Sequence, residues 1–315
     1  MFHYLITRPL GFIIETIYNF VQNYGLAIIL FTVVVKLILL PLNIKSQKAM
    51  RKQQKIQPII TKLQEKYKND QEKLQREMMK VYKENNVSMM GGCLPMLIQM
   101  PILIGLYQVI QRPINFLAGV TEWSADKLEI VSALRDKIAA AYPELLGNLG
   151  SMDVANLVKT GQIQISKWCT VLGEQLDWSF NFNFLGLDIS NAPSAALSKI
   201  MTGDFSDMSI ILLILIPAFA VLTTWLSTKI TQMQSGKPAA TNEQSSQMMS
   251  SMNIMMPVMT GFFTFTLPSG MGLYWIISNV IQMVQQLALN YYFEKKGDDF
   301  DVKVPESNKK KRKNR

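Results

Sequence analysis

Long apolar blocks constrain this chain more than any other feature of its 315 residues. About 20 consecutive apolar residues are enough to cross the hydrocarbon core of a bilayer. Four blocks approach or exceed that length: residues 24–43, 92–111, 208–228 and 253–292. The last block is long enough for two spans, and Leu267-Pro268-Ser269-Gly270 near its middle is a turn signal. The sequence therefore predicts an all-α integral membrane protein with five transmembrane helices.

The five spans divide the rest of the chain into connecting segments. The predicted spans are 24–43, 91–112, 208–228, 253–267 and 271–292. The remaining segments are an N-terminal part (1–23), a polar segment (44–90), a long segment (113–207), a loop (229–252) and a C-terminal tail (293–315).

The charges of these segments predict the orientation of the spans, because Lys and Arg concentrate on the cytoplasmic side. Residues 45–84 contain twelve Lys/Arg against five Asp/Glu, whereas residues 113–207 contain six against eleven. The tail ends in the basic run KKKRKNR. We therefore expect residues 44–90 and the tail to be cytoplasmic, and the N-terminus and residues 113–207 to be external.

Two amphipathic regions are predicted outside the spans. Near the N-terminus, Ile13, Ile17 and Phe20 or Val21 share one helical face, which is typical of a helix lying in the membrane interface. A frayed amphipathic terminus is the alternative. Residues 44–90 predict a basic helical hairpin with a turn at Asn69-Asp70, where Asp70 would cap the second helix. Its apolar positions are Ile56, Ile59, Ile60, Leu63 and Tyr67 in the first helix, and Leu74, Met78, Val81 and Tyr82 in the second.

Few ionisable residues lie inside the predicted spans. Lys36 is the charged residue that lies well inside a predicted span, and no Asp or Glu accompanies it there. A lysine near the centre of a spanning helix costs about 2.5–3.5 kcal/mol on insertion scales. Ion-coupled transporters generally need intramembrane carboxylates, so this pattern argues against them but not against a channel. Snorkelling to the cytoplasmic side is one explanation of Lys36, and a hydrophilic cavity open to the cytoplasm is another.

Polar residues on other spans favour the cavity. Because unpartnered polar groups are costly in hydrocarbon, we expect them to face one wet groove. The candidate groove residues are Thr32, Lys36, Gln99, Thr223, Ser227, Tyr274, Trp275, Asn279 and Gln282. The alternative is that Ser and Thr bond to their own helix and that Asn and Gln join helices.

Neither metal nor catalytic chemistry is predicted. His3 has no Cys, Asp or Glu cluster beside it, and Cys93 and Cys169 fall in a span and in the long external segment. They support no disulfide framework. We therefore expect no catalytic residue, no metal and no cofactor.

Several motifs carry a family resemblance. Residues 91–107, GGCLPMLIQMPILIGLY, are similar to the signature of the YidC/Oxa/Alb membrane protein insertases. Further similar motifs are Leu267-Pro268-Ser269-Gly270, residues 273–279 (LYWIISN) and Gln285-Gln286. The hairpin contributes Lys48-Ala49-Met50, Gln57-Pro58 and Lys66-Tyr67. The resemblance covers roughly residues 5–112 and 208–296.

The resemblance implies an insertase of the bacterial plasma membrane, similar to Gram-positive members, rather than an enzyme. It implies five helices around a groove that is open to the cytoplasm and to lipid and closed outside. Lys36 stands where the family has a groove Arg, Thr32 matches a groove threonine, and Tyr274 and Trp275 match substrate contacts. The expected partners are nascent membrane proteins, the ribosome and targeting machinery, and anionic lipids, with a Sec-type translocon as a candidate.

The chain departs from the family pattern in two places. Lys in place of Arg keeps the charge but loses the planar fork that binds carboxylates bidentately. The segment 113–207 is far longer than the usual connection, and we expect it to bind an external or translocon partner through Trp178–Phe184. We also expect a short Gly/Ser linker in place of about residues 118–203 to preserve groove-dependent insertion. A channel or small-solute transporter with the same polar cavity is the competing interpretation, and a structural scaffold is a third.

Overall fold

The computed structural model describes residues 7–87, 94–120, 124–146, 149, 152–173, 178–203, 208–234 and 243–296. Its elements are α1 (Arg8–Val21), α2 (Tyr24–Ile38), α3 (Leu40–Lys66), α4 (Gln71–Glu84), α5 (Leu94–Gln111), α6 (Pro113–Leu117), α7 (Ala125–Ala141), a 3-10 turn (Pro143–Leu145), α8 (Val154–Thr160), α9 (Gln162–Leu172), β1 (Asn183–Phe184), β2 (Leu187–Asp188), α10 (Ser194–Thr202), α11 (Met208–Leu212), α12 (Leu215–Gln234), α13 (Glu243–Thr266) and α14 (Ser269–Lys296). His3, Cys93 and the basic run at the end of the tail lie outside the described residues.

The described residues are mostly helical, in agreement with the predicted all-α fold. By length and composition one helical stretch, Met208–Thr231, can cross a membrane, with a mean hydropathy of 2.4. Helices α2 and α3 meet the same criterion only when taken together, and they are bent by 59°. Ile254–Thr266 in α13 is a shorter apolar helix. The described residues thus hold one clear candidate span, or two if the bent pair is one span.

The predicted first span, 24–43, is not one straight helix. Helix α2 ends at Ile38, and α3 begins at Leu40 with Pro41 in its first turn. Proline has no N–H, so Pro41 cannot donate to the carbonyl of Leu37, which lies four residues earlier. The helix is therefore interrupted three residues after Lys36, and the second helix of the pair runs on into the polar segment.

The chain forms two compact units. The first comprises Met1–Val35, Gln99–Ala220 and Gly261–Ile277, and the second comprises Lys36–Ile98, Val221–Thr260 and Ser278–Arg315.

In the first unit, α1 packs through a face that the sequence did not single out. Its buried residues are Leu10, Gly11, Ile14 and Tyr18, and the helix packs against α6. The face predicted to lie in the membrane interface is on a different side, and Phe20 is 90% exposed. The packing face and the predicted interfacial face are therefore separate surfaces of one helix.

The aromatic stretch of segment 113–207 is buried, which makes its predicted role in partner binding wrong. Trp178, Phe180 and Phe182 are each at most 7% exposed. The Phe180 ring packs edge-on against Tyr18 at 5.5 Å, and the Phe182 ring against Tyr24 at 5.0 Å. These aromatic residues alternate along the chain, so an extended backbone places them on one face. That face forms part of the core of the unit.

Hydrogen bonds fix this stretch to the start of α2. The Tyr24 N–H donates to the Asn181 carbonyl at 3.0 Å, and the Asn181 N–H donates to the Tyr18 hydroxyl at 2.9 Å. Burial raises the pKa of the Tyr18 phenol, and the bond from the Asn181 N–H acts in the opposite direction.

The second unit contains the predicted helical hairpin. Helices α3 and α4 pack together around Ile56, Ile60, Val81, Tyr82 and Val87, with Ile59, Leu63 and Met78 partly buried beside them. The predicted cap of α4 is confirmed, because the Asp70 carboxylate accepts a 3.0 Å hydrogen bond from the Lys73 N–H. Helix α3 continues through Pro58.

Candidate functional site

Lys36 lies in the last turn of α2 and is only 6% exposed. A cation is favoured at this end of a helix, because the last carbonyls carry partial negative charge. None of the ion pairs formed by the described residues includes Lys36. The structure therefore buries a positive side chain at the point where the helix is interrupted, without a described carboxylate paired to it.

Gln285 of α14 contacts the backbone at this end of α2. Its side-chain amide donates to the Lys36 carbonyl at 3.5 Å, and its side-chain oxygen lies 3.4 Å from the Asn43 amide nitrogen. The last carbonyls of a helix have no partner within that helix, so Gln285 supplies one where the bend leaves a gap. Gln285 was not a candidate groove residue, although the pair Gln285-Gln286 inside an apolar helix is a signal that could have identified it.

A second polar contact of the same unit joins α14 to α12. The Asn279 amide donates to the hydroxyls of Thr223 at 3.3 Å and Thr224 at 2.8 Å. Ser227 is buried one turn further along α12. Thr224 makes the shorter bond, although the candidate set had named Thr223. Thr224, Ser227 and Thr231 recur at helical spacing, and that pattern identifies the polar face of α12.

Gln282 is not brought into this contact. Its side chain is exposed, whereas Asn279 is partly buried. One turn further along the same helix, Gln286 is buried and its side-chain oxygen accepts a 3.1 Å hydrogen bond from the Thr231 hydroxyl. The inward polar face of this part of α14 therefore contains Asn279 and Gln286 rather than Gln282.

In the first unit, the structure brings together Gln99 and Tyr274. The Gln99 amide donates to the Tyr274 hydroxyl oxygen at 2.7 Å. Tyr274 is 2% exposed, and Gln99 and the neighbouring Trp275 are partly buried. This bond joins α5 to α14.

Thr32 bonds to its own helix. It is fully buried, and its hydroxyl donates to the Ile28 carbonyl at 2.6 Å. The hydroxyls of Thr260 and Thr264 in α13 likewise donate to carbonyls of that helix. For Thr32, the alternative in which a threonine bonds to its own helix therefore describes the hydrogen bond of its hydroxyl.

The part of the chain that the structure describes contains no group of three or more His, Cys, Asp or Glu side chains that could hold a metal ion. Cys169 is buried in α9.

The comparison with known protein families decides what kind of chain this is. The model of the family described as "60Kd inner membrane protein" matches residues 16–296. The chain belongs to this family. The match runs from α1 to the last residue of α14 and includes all the candidate groove residues.

Three relatives of this chain share the same name. A protein of Clostridium perfringens named "Membrane protein insertase YidC" is 38% identical over 290 residues, which cover 89% of this chain and 87% of the relative. The protein of the same name from Syntrophobacter fumaroxidans is 27% identical over 291 residues, covering 90% of this chain but 38% of the relative. One from Nitratidesulfovibrio vulgaris (strain DSM 19637 / Miyazaki F) is 49% identical over 111 residues, covering 35% and 21%.

The chain thus spans most of the first relative but well under two thirds of the other two. Family membership and the names of these relatives support a membrane protein insertase function and a place in the inner (plasma) membrane. The resemblance that the sequence motifs indicated is confirmed.

Proposed function

We propose that this chain inserts nascent membrane proteins through a hydrophilic groove whose fixed positive charge is Lys36. The observation that carries the proposal is the burial of Lys36 without a described carboxylate paired to it. Burying an ammonium costs free energy unless it is paired or solvated. A groove that admits cytoplasmic water would meet that cost and would leave the charge available to an incoming acidic segment.

The proposed groove residues are Lys36, Thr223, Ser227 and Asn279, with Gln282 at an exposed position of α14. The family resemblance adds Thr32, Gln99, Tyr274 and Trp275. We further propose five spans, with the N-terminus outside and the C-terminus in the cytoplasm, because the excess of Lys and Arg in residues 45–84 favours a cytoplasmic location.

The physical steps require no covalent chemistry. An acidic segment of a nascent chain is attracted by the Lys36 ammonium, and the protein and lipid around the groove screen this attraction less than bulk water would. Groove water replaces part of the hydration that the polar segment loses on leaving the cytoplasm. The apolar helix of the substrate then partitions into lipid, which is the favourable step.

The basic hairpin and tail serve recruitment in this proposal. Within the second unit, Arg51 of α3 joins the hairpin to α14. Its guanidinium donates to the carbonyl and side-chain oxygens of Asn290 and lies 4.9 Å from the centroid of the Phe293 ring. In this proposal the basic surface of the hairpin meets the ribosome, the targeting machinery or anionic lipid headgroups, and a Sec-type translocon is a further proposed partner.

The proposal is tested by charge substitution at Lys36. Cells depleted of other insertases would express the Lys36→Arg, Lys36→Ala or Lys36→Glu variant, and protease protection would report translocation of a substrate's acidic external tail. Lys36→Arg should retain insertion, because the attraction is mainly between monopoles, whereas Lys36→Ala and Lys36→Glu should impair it. Full activity of Lys36→Glu on an acidic tail would overturn the proposal, provided that immunoblots show equal amounts of each variant.

A further inference from the structure

A turn of the external segment holds the first residues of α14. The N–H and the hydroxyl of Ser269 both donate to the Asn191 carbonyl, at 2.9 and 2.7 Å. The Gly270 N–H donates to the Ile189 carbonyl at 2.8 Å. The first N–H groups of a helix have no partner within that helix. Residues 188–191, called here the 188–191 turn, therefore supply acceptors that α14 cannot supply to itself.

The side chains of the 188–191 turn fix its shape. The Asp188 carboxylate accepts hydrogen bonds from the Ser190 N–H at 3.0 Å, from the Ser190 hydroxyl, and from the Asn191 amide at 3.2 Å. Asp188 also ends the short antiparallel pair of β1 and β2, where it faces Asn183. These local hydrogen bonds thus fix the backbone carbonyls of Ile189 and Asn191, which accept hydrogen bonds from α14.

One lysine from another helix ties this turn to the body of the external segment. The Lys167 ammonium, which α9 contributes, lies 2.8 Å from an Asp188 carboxylate oxygen and 2.9 Å from the Asn191 side-chain oxygen. The side chains of Lys167 and Asp188 are 23% and 36% exposed, so this pair is partly shielded from water. Charge-assisted hydrogen bonds of this kind are short and directional.

The start of α14 is also tightly packed, so even a small displacement would disturb its side-chain contacts. A Cβ atom added at Gly270 would lie 3.1 Å from the Ile28 side chain, and one added at Gly272 would lie 2.4 Å from the Ile216 side chain. Tyr274 follows Ser269 by five residues on the same helix, and its hydroxyl accepts the bond from Gln99. A shift of the first turn of α14 would therefore move Tyr274 away from its partner, because a helix transmits an axial shift along its length.

We propose that Lys167 is a positioning residue for insertion. By bridging Asp188 and Asn191 it holds the 188–191 turn against Ser269 and Gly270, and thereby sets the position of Tyr274 in the groove. This inference rests on the proposed function, because the position of Tyr274 matters only if Tyr274 belongs to the groove. It assigns the long external segment a part in the insertase rather than a separate partner-binding role.

A cysteine pair can report the position of α14 in the absence of any substrate. In a chain in which Cys93 and Cys169 are replaced by Ala, Ile28→Cys and Gly270→Cys place two thiols where the structure has a close contact. The rate of disulfide formation in membrane vesicles then measures how well the starts of α2 and α14 are aligned. Insertion of an acidic-tailed substrate is measured separately, in a chain that keeps its natural residues at positions 28 and 270.

The test compares Lys167→Met, which removes the charge but keeps most of the stem, with Lys167→Arg, which keeps the charge. The Met variant should slow disulfide formation by roughly tenfold, because it removes both charge-assisted contacts of the Lys167 ammonium, and it should lower insertion. The Arg variant should restore most of both. Lys137→Met, the same change in α7, is the matched control and should leave the two readouts at their original values.

Two results would overturn the inference: an unchanged disulfide rate in Lys167→Met, or a slowed rate with normal insertion. If Lys167→Met does not accumulate, Asn191→Ala replaces it, because that change removes the side-chain contacts of Asn191 with Lys167 and Asp188 and keeps the carbonyl that accepts from Ser269. A separate variant tests the proposed function independently of this inference. Lys36→Ala should lower insertion without changing the disulfide rate, so normal insertion by Lys36→Ala would contradict the groove while leaving the alignment result intact.

Discussion

The side-chain amide of Gln99 donates a 2.7 Å hydrogen bond to the phenol oxygen of Tyr274, across 175 residues of sequence. Each residue belongs to one of the motifs that indicated the family, GGCLPMLIQMPILIGLY and LYWIISN. Tyr274 is 2% exposed, so its hydroxyl would be costly to bury without a partner. The two motifs are therefore joined by a specific polar contact in the first unit.

Tyr274→Phe should destabilise the protein by about 1–3 kcal/mol, because it leaves the Gln99 amide without its partner. Adding Gln99→Leu should recover much of that loss, since replacing both members of a buried polar pair by apolar groups can be nearly neutral. Thermal unfolding of the purified variants in detergent measures both effects. A double variant that is less stable than either single variant would show that the two residues do not act as a pair.

Asn279→Leu should lower stability by about 1 kcal/mol or somewhat more, because it removes the hydrogen bonds that the Asn279 amide donates to Thr223 and Thr224. The matched control is Gln282→Leu, which alters an exposed side chain of the same helix three residues later. We expect this control to change stability by no more than about 0.5 kcal/mol. The same unfolding measurement compares the two, and equal losses would mean that the contact between α14 and α12 contributes nothing specific.

The sequence allowed the local features of the fold to be predicted better than the long-range ones. The cap at Asp70 and the apolar stripe through Ile56 and Ile60 follow from helical periodicity and capping chemistry. The burial of Phe180 and Phe182 could not be predicted, because it depends on Tyr18 and Tyr24, which lie about 160 residues away in the chain. The aromatic residues were recognised, but the surface that covers them was not.

The candidate site shows the same division. Composition was sufficient to single out Lys36, because a charge inside an apolar block is conspicuous. Choosing between Thr223 and Thr224, or between Gln282 and Gln286, requires the rotation of α12 and α14 about their axes. That rotation is set by packing against other helices rather than by the sequence of either helix alone.

Ile56→Ala should unfold the α3–α4 hairpin selectively, because Ile56 is fully buried between α3 and α4. Truncating a buried isoleucine typically costs about 2–5 kcal/mol, which is large for a core of this size. Limited proteolysis of residues 44–87 in membranes measures the loss, and Ile59→Ala at a partly buried position is the control. Insertion should fall together with protease resistance if the hairpin recruits substrate. If a variant with a protease-sensitive hairpin still inserts its substrate normally, the hairpin serves only as a connector.

A matched pair of substrates shows whether Lys36 attracts substrates through its charge. The two substrates carry the same apolar helix and external tails of equal length, one with two Asp residues and one with two Lys residues at the same positions. The measured quantity is the ratio of protease-protected acidic tail to protease-protected basic tail, first with Lys36 and then with Lys36→Glu. We predict a ratio well above one with Lys36 and an inverted ratio with Lys36→Glu, because only the sign of one charge has changed. A ratio that stays the same in both proteins would show that the charge of Lys36 does not select the substrate, and would contradict the account.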